Sequence, residues 1–148
     1  MIEKKIFKAY DIRGTYPDEL NEKTAYDIGR AFARRVQAKQ IVVGADMRLS
    51  GPVLKKGLVQ GITDEGVDVL DIGLVPVDAV YFANGILKYP AGIMITASHN
   101  PPEYNGFKMV FADVQYVRGE ELIGDVLNLP PMAQVKKGTV TALDVMPK

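Results

Sequence analysis

Ala91-Gly92-Ile93-Met94-Ile95-Thr96-Ala97 is the stretch whose reading decides the fold. It is continuously apolar up to Thr96, in the way of a strand buried on both faces, and strands of that kind occur in mainly parallel sheets with helices packed on either side. The polar turn Ser98-His99-Asn100-Pro101-Pro102 follows directly, and Gly106 to Phe111 (GFKMVF) reads as a second strand beyond it.

Upstream, helices and strands alternate. Asn21 to Gln37 carries Ala25, Ile28, Ala31, Phe32 and Val36 at helical spacing, with Asn21 as N-cap and charged residues on the opposite face. Gln40 to Ala45 (QIVVGA) is a β-branched strand ending in glycine. Ser50-Gly51-Pro52 then offers a cap and an early proline for a second helix running to Gly66. Val67 to Leu74 reads as the next strand, and Pro76 starts a third helix through Val77, Val80 and Tyr81 that Asn84-Gly85 can end. The expected fold class is therefore α/β: a three-layer α/β/α sandwich with a mixed, mainly parallel sheet.

Downstream the pattern weakens. A short helix (EELIGDVL) follows Gly119, Leu129-Pro130-Pro131 interrupts it, and Thr139 to Met146 alternates like a strand before Pro147. Residues 1–138 read as one domain, and 139–148 as the start of a linker leading to a second domain. The 148 residues, 47% of them apolar and 24% charged, suit a single soluble domain with its own core and leave no room for two.

Charge and cysteine content narrow the function. Lysine plus arginine equal aspartate plus glutamate at 18 each, so no net positive field gathers nucleic acid or an anionic membrane surface, and any anion must be held locally. Cysteine is absent, which removes disulfide frameworks and thiolate metal sites. No apolar run approaches a membrane span, and the start Met-Ile-Glu-Lys-Lys leads into no signal-peptide core. A cytoplasmic protein with neither nucleic-acid nor membrane partners is the expectation.

The chemistry concentrates in Thr96-Ala97-Ser98-His99-Asn100-Pro101-Pro102, which sets hydroxyl, imidazole and amide on a tight turn at the end of a buried strand. In open α/β sheets ligands bind at that edge. Taken alone, Ser98 reads more readily as a turn residue bonding its own backbone. Three further stretches bear on the choice: Lys8-Ala9-Tyr10-Asp11-Ile12-Arg13-Gly14, Gly44-Ala45-Asp46-Met47-Arg48 and Asn105-Gly106-Phe107-Lys108.

In this order, and together with the serine loop, these motifs resemble the first domain of the α-D-phosphohexomutases of the phosphomannomutase/phosphoglucomutase type. The resemblance runs from Phe7 to about Val110 and loosens over Ala112 to Arg118. It implies a phosphorylated Ser98 that donates its phosphoryl group to a hexose 1- or 6-phosphate. The resulting hexose 1,6-bisphosphate turns around and returns the other phosphoryl group. Catalysis of that kind is mostly positioning and electrostatic stabilisation of a charged, spread-out phosphoryl group.

The resemblance also implies roles residue by residue. Lys108 is the general acid/base for the sugar hydroxyl, which requires it to give up its proton near neutrality. Arg13 approaches the phosphoserine with its fork of donors. His99, the one histidine, positions ligand hydroxyls or phosphate, or else merely satisfies the turn. Tyr10, Asn100, Asp46 and Arg48 support the loops. Mg²⁺ is the implied cofactor, with a phosphate oxygen on Ser98 as one ligand. The family's other metal ligands, the aspartates of D-G-D-x-D-R, belong to a second domain, and no such sequence occurs here. The remaining domains of the same enzyme are thus implied partners, and the chain alone is expected to be inactive.

Two other readings compete. A serine hydrolase using Ser98 and His99 is disfavoured, because adjacent residues rarely share a proton and no G-x-S-x-G elbow is present. The alternative is a naturally single-domain, non-catalytic protein that binds phosphosugars or accepts phosphate. Within the family, phosphoglucosamine mutases read G-T-D-G-I-R-G where this chain reads K-A-Y-D-I-R-G, which favours the phosphomannomutase/phosphoglucomutase branch.

Overall fold

The structure is a computed structural model that describes residues 2–132 and 134–145. Its strands are β1 (Ile12–Thr15), β2 (Gln40–Ala45), β3 (Asp68–Leu74), β4 (Ala91–Ile95), β5 (Tyr104–Phe111), β6 (Gln115–Val117) and β7 (Val140–Ala142). Its α-helices are α1 (Glu22–Val36), α2 (Gly51–Asp64), α3 (Val77–Gly85) and α4 (Gly119–Leu127). The sheet runs β1-β5-β4-β2-β3-β7, with β6 added to β5.

Alternation along the strands divides the interior into two layers. Ile41, Val43, Ala45, Ile93, Ile95, Phe107 and Met109 face one side, where they pack with Ile28 and Phe32 of α1, Leu54 and Leu58 of α2 and Leu122 of α4. Val42, Met94 and Val110 face the other side and meet Ala79, Val80 and Ala83 of α3. The continuous apolarity of β4 follows from this double cover, and all five of its residues are buried. The three-layer α/β/α reading holds.

The sheet is mixed. β2 pairs in parallel with β3 and β4, and β3 with β7, while β1–β5, β4–β5 and β5–β6 are antiparallel. Parallel and antiparallel pairings are thus equal in number among the described residues, because the connections after β4 and β5 are short. Only a crossover of a dozen or more residues can return a chain in parallel.

Local signals are mostly realised as the spacing dictates. The Asn21 side chain accepts from the Thr24 N–H at 3.1 Å while Thr24 Oγ1 accepts from the Asn21 N–H at 2.8 Å, a capping box that starts α1. Pro52 sits in the first turn of α2, and Pro76 is the N-cap of α3. The expectation that Ser50 caps α2 fails. Its hydroxyl accepts from buried Asn105 Nδ2 at 2.8 Å instead and makes no cap bond, because a fully buried amide must find an acceptor. α2 stops at Asp64, two residues before Gly66, which turns the chain with φ +83°.

Three strands lie outside the sequence reading or extend it. β1 is short and half of its positions are only partly buried, β5 begins at Tyr104 rather than Gly106, and β6 has three residues. The segment read as a linker contributes β7, which lies parallel to β3 with Val140 opposite Val69. The described residues before it are pinned where Arg30 donates to the Pro130 carbonyl (2.8 Å) and Gly138 N–H to the Thr63 carbonyl (2.8 Å). The reading of Met146 as strand and Pro147 as its end lies outside the described residues.

The order of the strands places the site. β2 leads through α2 to β3 on one side, and β3 leads through α3 back across to β4 on the other side of β2. The two crossovers run in opposite directions along the sheet, α3 carrying the chain back past β2, and lie on opposite faces, as right-handed connections require. The loops following β2 and β4 emerge side by side at the C-terminal ends of neighbouring parallel strands, the edge at which such sheets bind ligands.

Candidate phosphoryl-transfer site

The loop after β4 turns sharply at Ser98, whose φ of +55° lies in the left-handed region. A non-glycine residue there costs on the order of 1 kcal/mol, so the surroundings must hold it. They do so from three directions. Thr96 Oγ1 accepts from the Ser98 N–H at 3.0 Å and donates to Asp46 Oδ2 at 2.6 Å. The Asn100 N–H and Nδ2 both donate to the Ala97 carbonyl, at 3.0 and 2.9 Å. Arg48 reaches in from the loop after β2 and donates to four loop carbonyls: Ser98 (3.0 Å), Asn100 (2.8 Å), Pro101 (2.8 Å) and Tyr104 (2.9 Å).

Asp46 and Arg48 thus brace the loop. The carboxylate of Asp46 takes the Thr96 hydroxyl and the Arg48 N–H (3.2 Å), and lies 3.7 Å from Arg48 Nε. The planar fork of arginine is what allows one side chain to satisfy four carbonyls at once. With its backbone held in this way, Ser98 itself stays exposed.

A second group of residues lies across β5. Antiparallel pairing sets Arg13 opposite Gly106, where a Cβ would run into the Ile12 carbonyl oxygen and the Arg13 Cα. Glycine at 106 is therefore what lets β1 approach. Asp11 is buried and accepts from Arg13 Nη2 at 2.6 Å, and the same oxygen lies 3.7 Å from Lys108 Nζ. Arg13 Nε is buried with no acceptor among the described residues. Buried donors are normally paired, so this one stands out.

Arg13 also lines a cavity of about 530 Å³ with Lys5, Lys8, Glu19 and the loop residues Asn100, Pro101 and Tyr104. Three cations against one carboxylate make its wall net positive, an answer to the requirement that an anion be bound locally. Glu19 is not idle there: Oε2 pairs with Lys5 at 2.8 Å and Oε1 accepts from the Thr15 N–H and hydroxyl, both at 2.9 Å. The Lys5 ammonium and the Thr15 donors hold the Glu19 carboxyl down at about 2 from an ordinary 4.5. A group depressed in the folded state adds stability above its unfolded pKa and loses it as pH falls towards the folded value. Stability is expected to decline between about pH 4.5 and 2, and Glu19→Gln to remove that part of the decline, as read by thermal unfolding across pH.

Of the residues singled out in the sequence, Arg13 and Asn100 meet in this groove, and Lys108 joins them through Asp11. His99 is exposed, and its ring makes no hydrogen bond among the described residues; Tyr10 projects into solvent at 72% exposure. Asp11, Thr96 and Lys8 were given no role in the sequence reading. Asp11 stands inside the quoted KAYDIRG stretch, but only the register of β1 against β5 shows that it faces Lys108. A larger cavity of about 820 Å³ between the end of α1 and α4 includes no residue of the serine loop, and its arginines are engaged by Glu65, Glu121 and Asp125.

No group of three or more histidine, aspartate or glutamate side chains able to hold a metal occurs among the described residues. Asp46, the carboxylate that contacts the serine loop through Thr96, is committed to Thr96 and Arg48. Among the described residues no magnesium site is formed by this chain alone. No helix among the described residues is long and apolar enough to cross a membrane.

Comparison with known proteins agrees with this arrangement. Residues 4–121 match the family described as phosphoglucomutase/phosphomannomutase, alpha/beta/alpha domain I. A phosphomannomutase of Klebsiella pneumoniae is 41% identical over 99% of this chain and 97% of its own length. An Escherichia coli phosphomannomutase is 42% identical over 99% of this chain, which spans only 33% of it, and the phosphomannomutase/phosphoglucomutase of Pseudomonas aeruginosa is 42% identical over 97% of the chain and 32% of its own length. The chain therefore spans about a third of these longer relatives. A solved phosphoglucomutase/phosphomannomutase family protein from Burkholderia thailandensis superposes with a TM-score of 0.86 at 37% identity, covering 98% of this chain and 34% of that one. With two thirds and more of its length matched by the family and its fold shared with a solved member, the chain belongs to the phosphoglucomutase/phosphomannomutase family as its α/β/α domain I.

Proposed function

We propose that Ser98 carries the phosphoryl group that a phosphomannomutase/phosphoglucomutase moves between the 1- and 6-positions of a hexose phosphate, through a 1,6-bisphosphate. The observation that carries this reading is the serine loop itself. An exposed Ser98 is held in the left-handed conformation by Thr96, Asp46 and Arg48, beside a groove with a cationic wall and a buried, unpaired Arg13 Nε. A hydroxyl fixed by its backbone while its side chain stays accessible suits a group that must bear and release a phosphoryl.

In the transfer, the bond between phosphorus and Ser98 Oγ breaks as one forms to the sugar oxygen; the sugar hydroxyl proton passes to Lys108, and a proton returns to Ser98 Oγ, which leaves as the hydroxyl. Arg13 directs its fork at the phosphoryl oxygens, offsetting charge that spreads over them in the transition state. Asn100 holds the turn, and His99 stands beside the transferring group. Mg²⁺ supplies further charge neutralisation when bound, with the Ser98 phosphate as this chain's single contribution to its coordination. The other ligands and the sugar-selecting contacts then belong to the remaining domains, so residues 1–148 alone turn over no hexose phosphate.

The test is phosphoryl uptake. The domain, joined to the other two thirds of the Escherichia coli relative's length, is exposed to glucose 1,6-bisphosphate and followed by intact mass and peptide mass spectrometry. One added phosphoryl group on Ser98, absent from Ser98→Ala, is the expected result. Phosphate on another residue, or none in either protein, would overturn the reading.

A further inference from the structure

We infer that Asp11 is the positioning residue of this site: its buried carboxylate gathers the Arg13 guanidinium and the Lys108 ammonium on one face of the sheet and holds back their charge until a phosphoryl group arrives. The inference rests on the phosphoryl-transfer reading for its biological meaning, but its geometry stands apart from Ser98.

The register explains why a single carboxylate can do this. Ile12 lies opposite Phe107 and Arg13 opposite Gly106, so the same antiparallel pairing continued by one residue sets Asp11 opposite Lys108. Alternation places Asp11, Arg13 and Lys108 on the face opposite to that of Ile12 and Phe107, which point into the core beneath α1 and α2. Because residue 106 is glycine, no side chain stands between Arg13 and Lys108 along β5. Asp11 Oδ2 then touches both cations, at 2.6 Å to Arg13 Nη2 and 3.7 Å to Lys108 Nζ.

Two consequences follow from this placement. Two cations brought onto one face repel each other, and the carboxylate between them lowers that cost, so their separation is set before any ligand binds. The contact to Arg13 also engages its Nη2 end, which leaves Nε buried and without an acceptor. The guanidinium is thereby committed to one orientation, with one donor still to be satisfied. Any carboxylate near an anion site weakens binding by simple repulsion; what marks a positioning role is that the effect of its charge passes through Arg13.

The experiment separates these cases with inorganic phosphate as the probe and the 148-residue chain as the protein. Asp11→Asn keeps the shape and an acceptor for Arg13 but removes the charge. It is expected to bind phosphate about tenfold more tightly than the unaltered chain at low ionic strength, with the difference shrinking in salt, as measured by titration calorimetry. Adding Arg13→Ala to that variant should abolish the gain. Equal or weaker phosphate binding by Asp11→Asn, or a gain that survives Arg13→Ala, overturns the proposal.

A measurement on the unaltered chain covers the case in which the variant fails to fold. Arg13 should show slow rotation of its guanidinium by nitrogen-15 NMR, as a clamped side chain does, and free rotation overturns the proposal. Neither readout depends on phosphoryl uptake, so a chain that takes up no phosphoryl group refutes the role of Ser98 and leaves the Asp11 result standing on its own.

Discussion

Lys108→Arg, in a chain that joins this domain to the other two thirds of the Escherichia coli relative's length, is expected to slow turnover about a hundredfold to ten-thousandfold. On the proposed reading the sugar hydroxyl loses its proton as the bond to phosphorus forms, and Lys108, on β5 beside Asp11 and Arg13, is the residue assigned to take it. Arginine keeps the positive charge but does not give up a proton at usable pH. A purely electrostatic role would therefore survive the swap, and an acid/base role would not. Coupled assays of kcat over a range of pH make the distinction. Near-normal turnover by the arginine variant would move the proton transfer elsewhere, with His99 the first residue to test.

Arg48→Met is expected to cost about 2–4 kcal/mol of stability and to release the serine loop. Each hydrogen bond to a charged donor contributes about 1.5–3 kcal/mol, and the carbonyls at the exposed end of the loop regain water when the guanidinium is gone. The substitution removes the donor shared by the carbonyls of Ser98, Asn100, Pro101 and Tyr104, and it leaves Asp46 with one partner fewer. Without that brace the positive φ of Ser98 has less to hold it, and the turn relaxes towards ordinary conformations. Chemical denaturation reads the stability, and amide hydrogen exchange at residues 97–104 reads the loop. Arg48→Lys should recover little, because one ammonium cannot span four carbonyls. A loop as protected in Arg48→Met as in the unaltered chain would show that Thr96 and Asn100 suffice.

Much of this molecule was legible in its amino-acid order. The continuous apolarity of Ala91–Ile95, the helical spacing from Ala25 to Phe32 and the N-cap at Asn21 each follow from local rules, and each is found where the spacing puts it. The motifs around Arg13, Asp46, Ser98 and Lys108 identified the family, because the residue types and their order survive in the chain itself. Short strands were harder: β1 and β6 have four and three residues, too few for periodicity to stand out, and exist because β5 offers each of them an edge.

Relations across space were decided by tertiary structure alone. Ser50 resembles a cap in sequence, yet the buried Asn105, 55 residues away, claims its hydroxyl. Arg48 stands two residues from Asp46, but nothing local reveals that it closes on carbonyls 50 to 56 residues further along. Asp11 acquires a role only through register, since one carboxylate can meet both Arg13 and Lys108 only when β1 runs antiparallel to β5 in this alignment. Local patterns record what each segment needs to bury and where it must turn. Pairings between distant polar groups depend on which strands become neighbours, and that is settled when the whole sheet assembles around its two apolar layers.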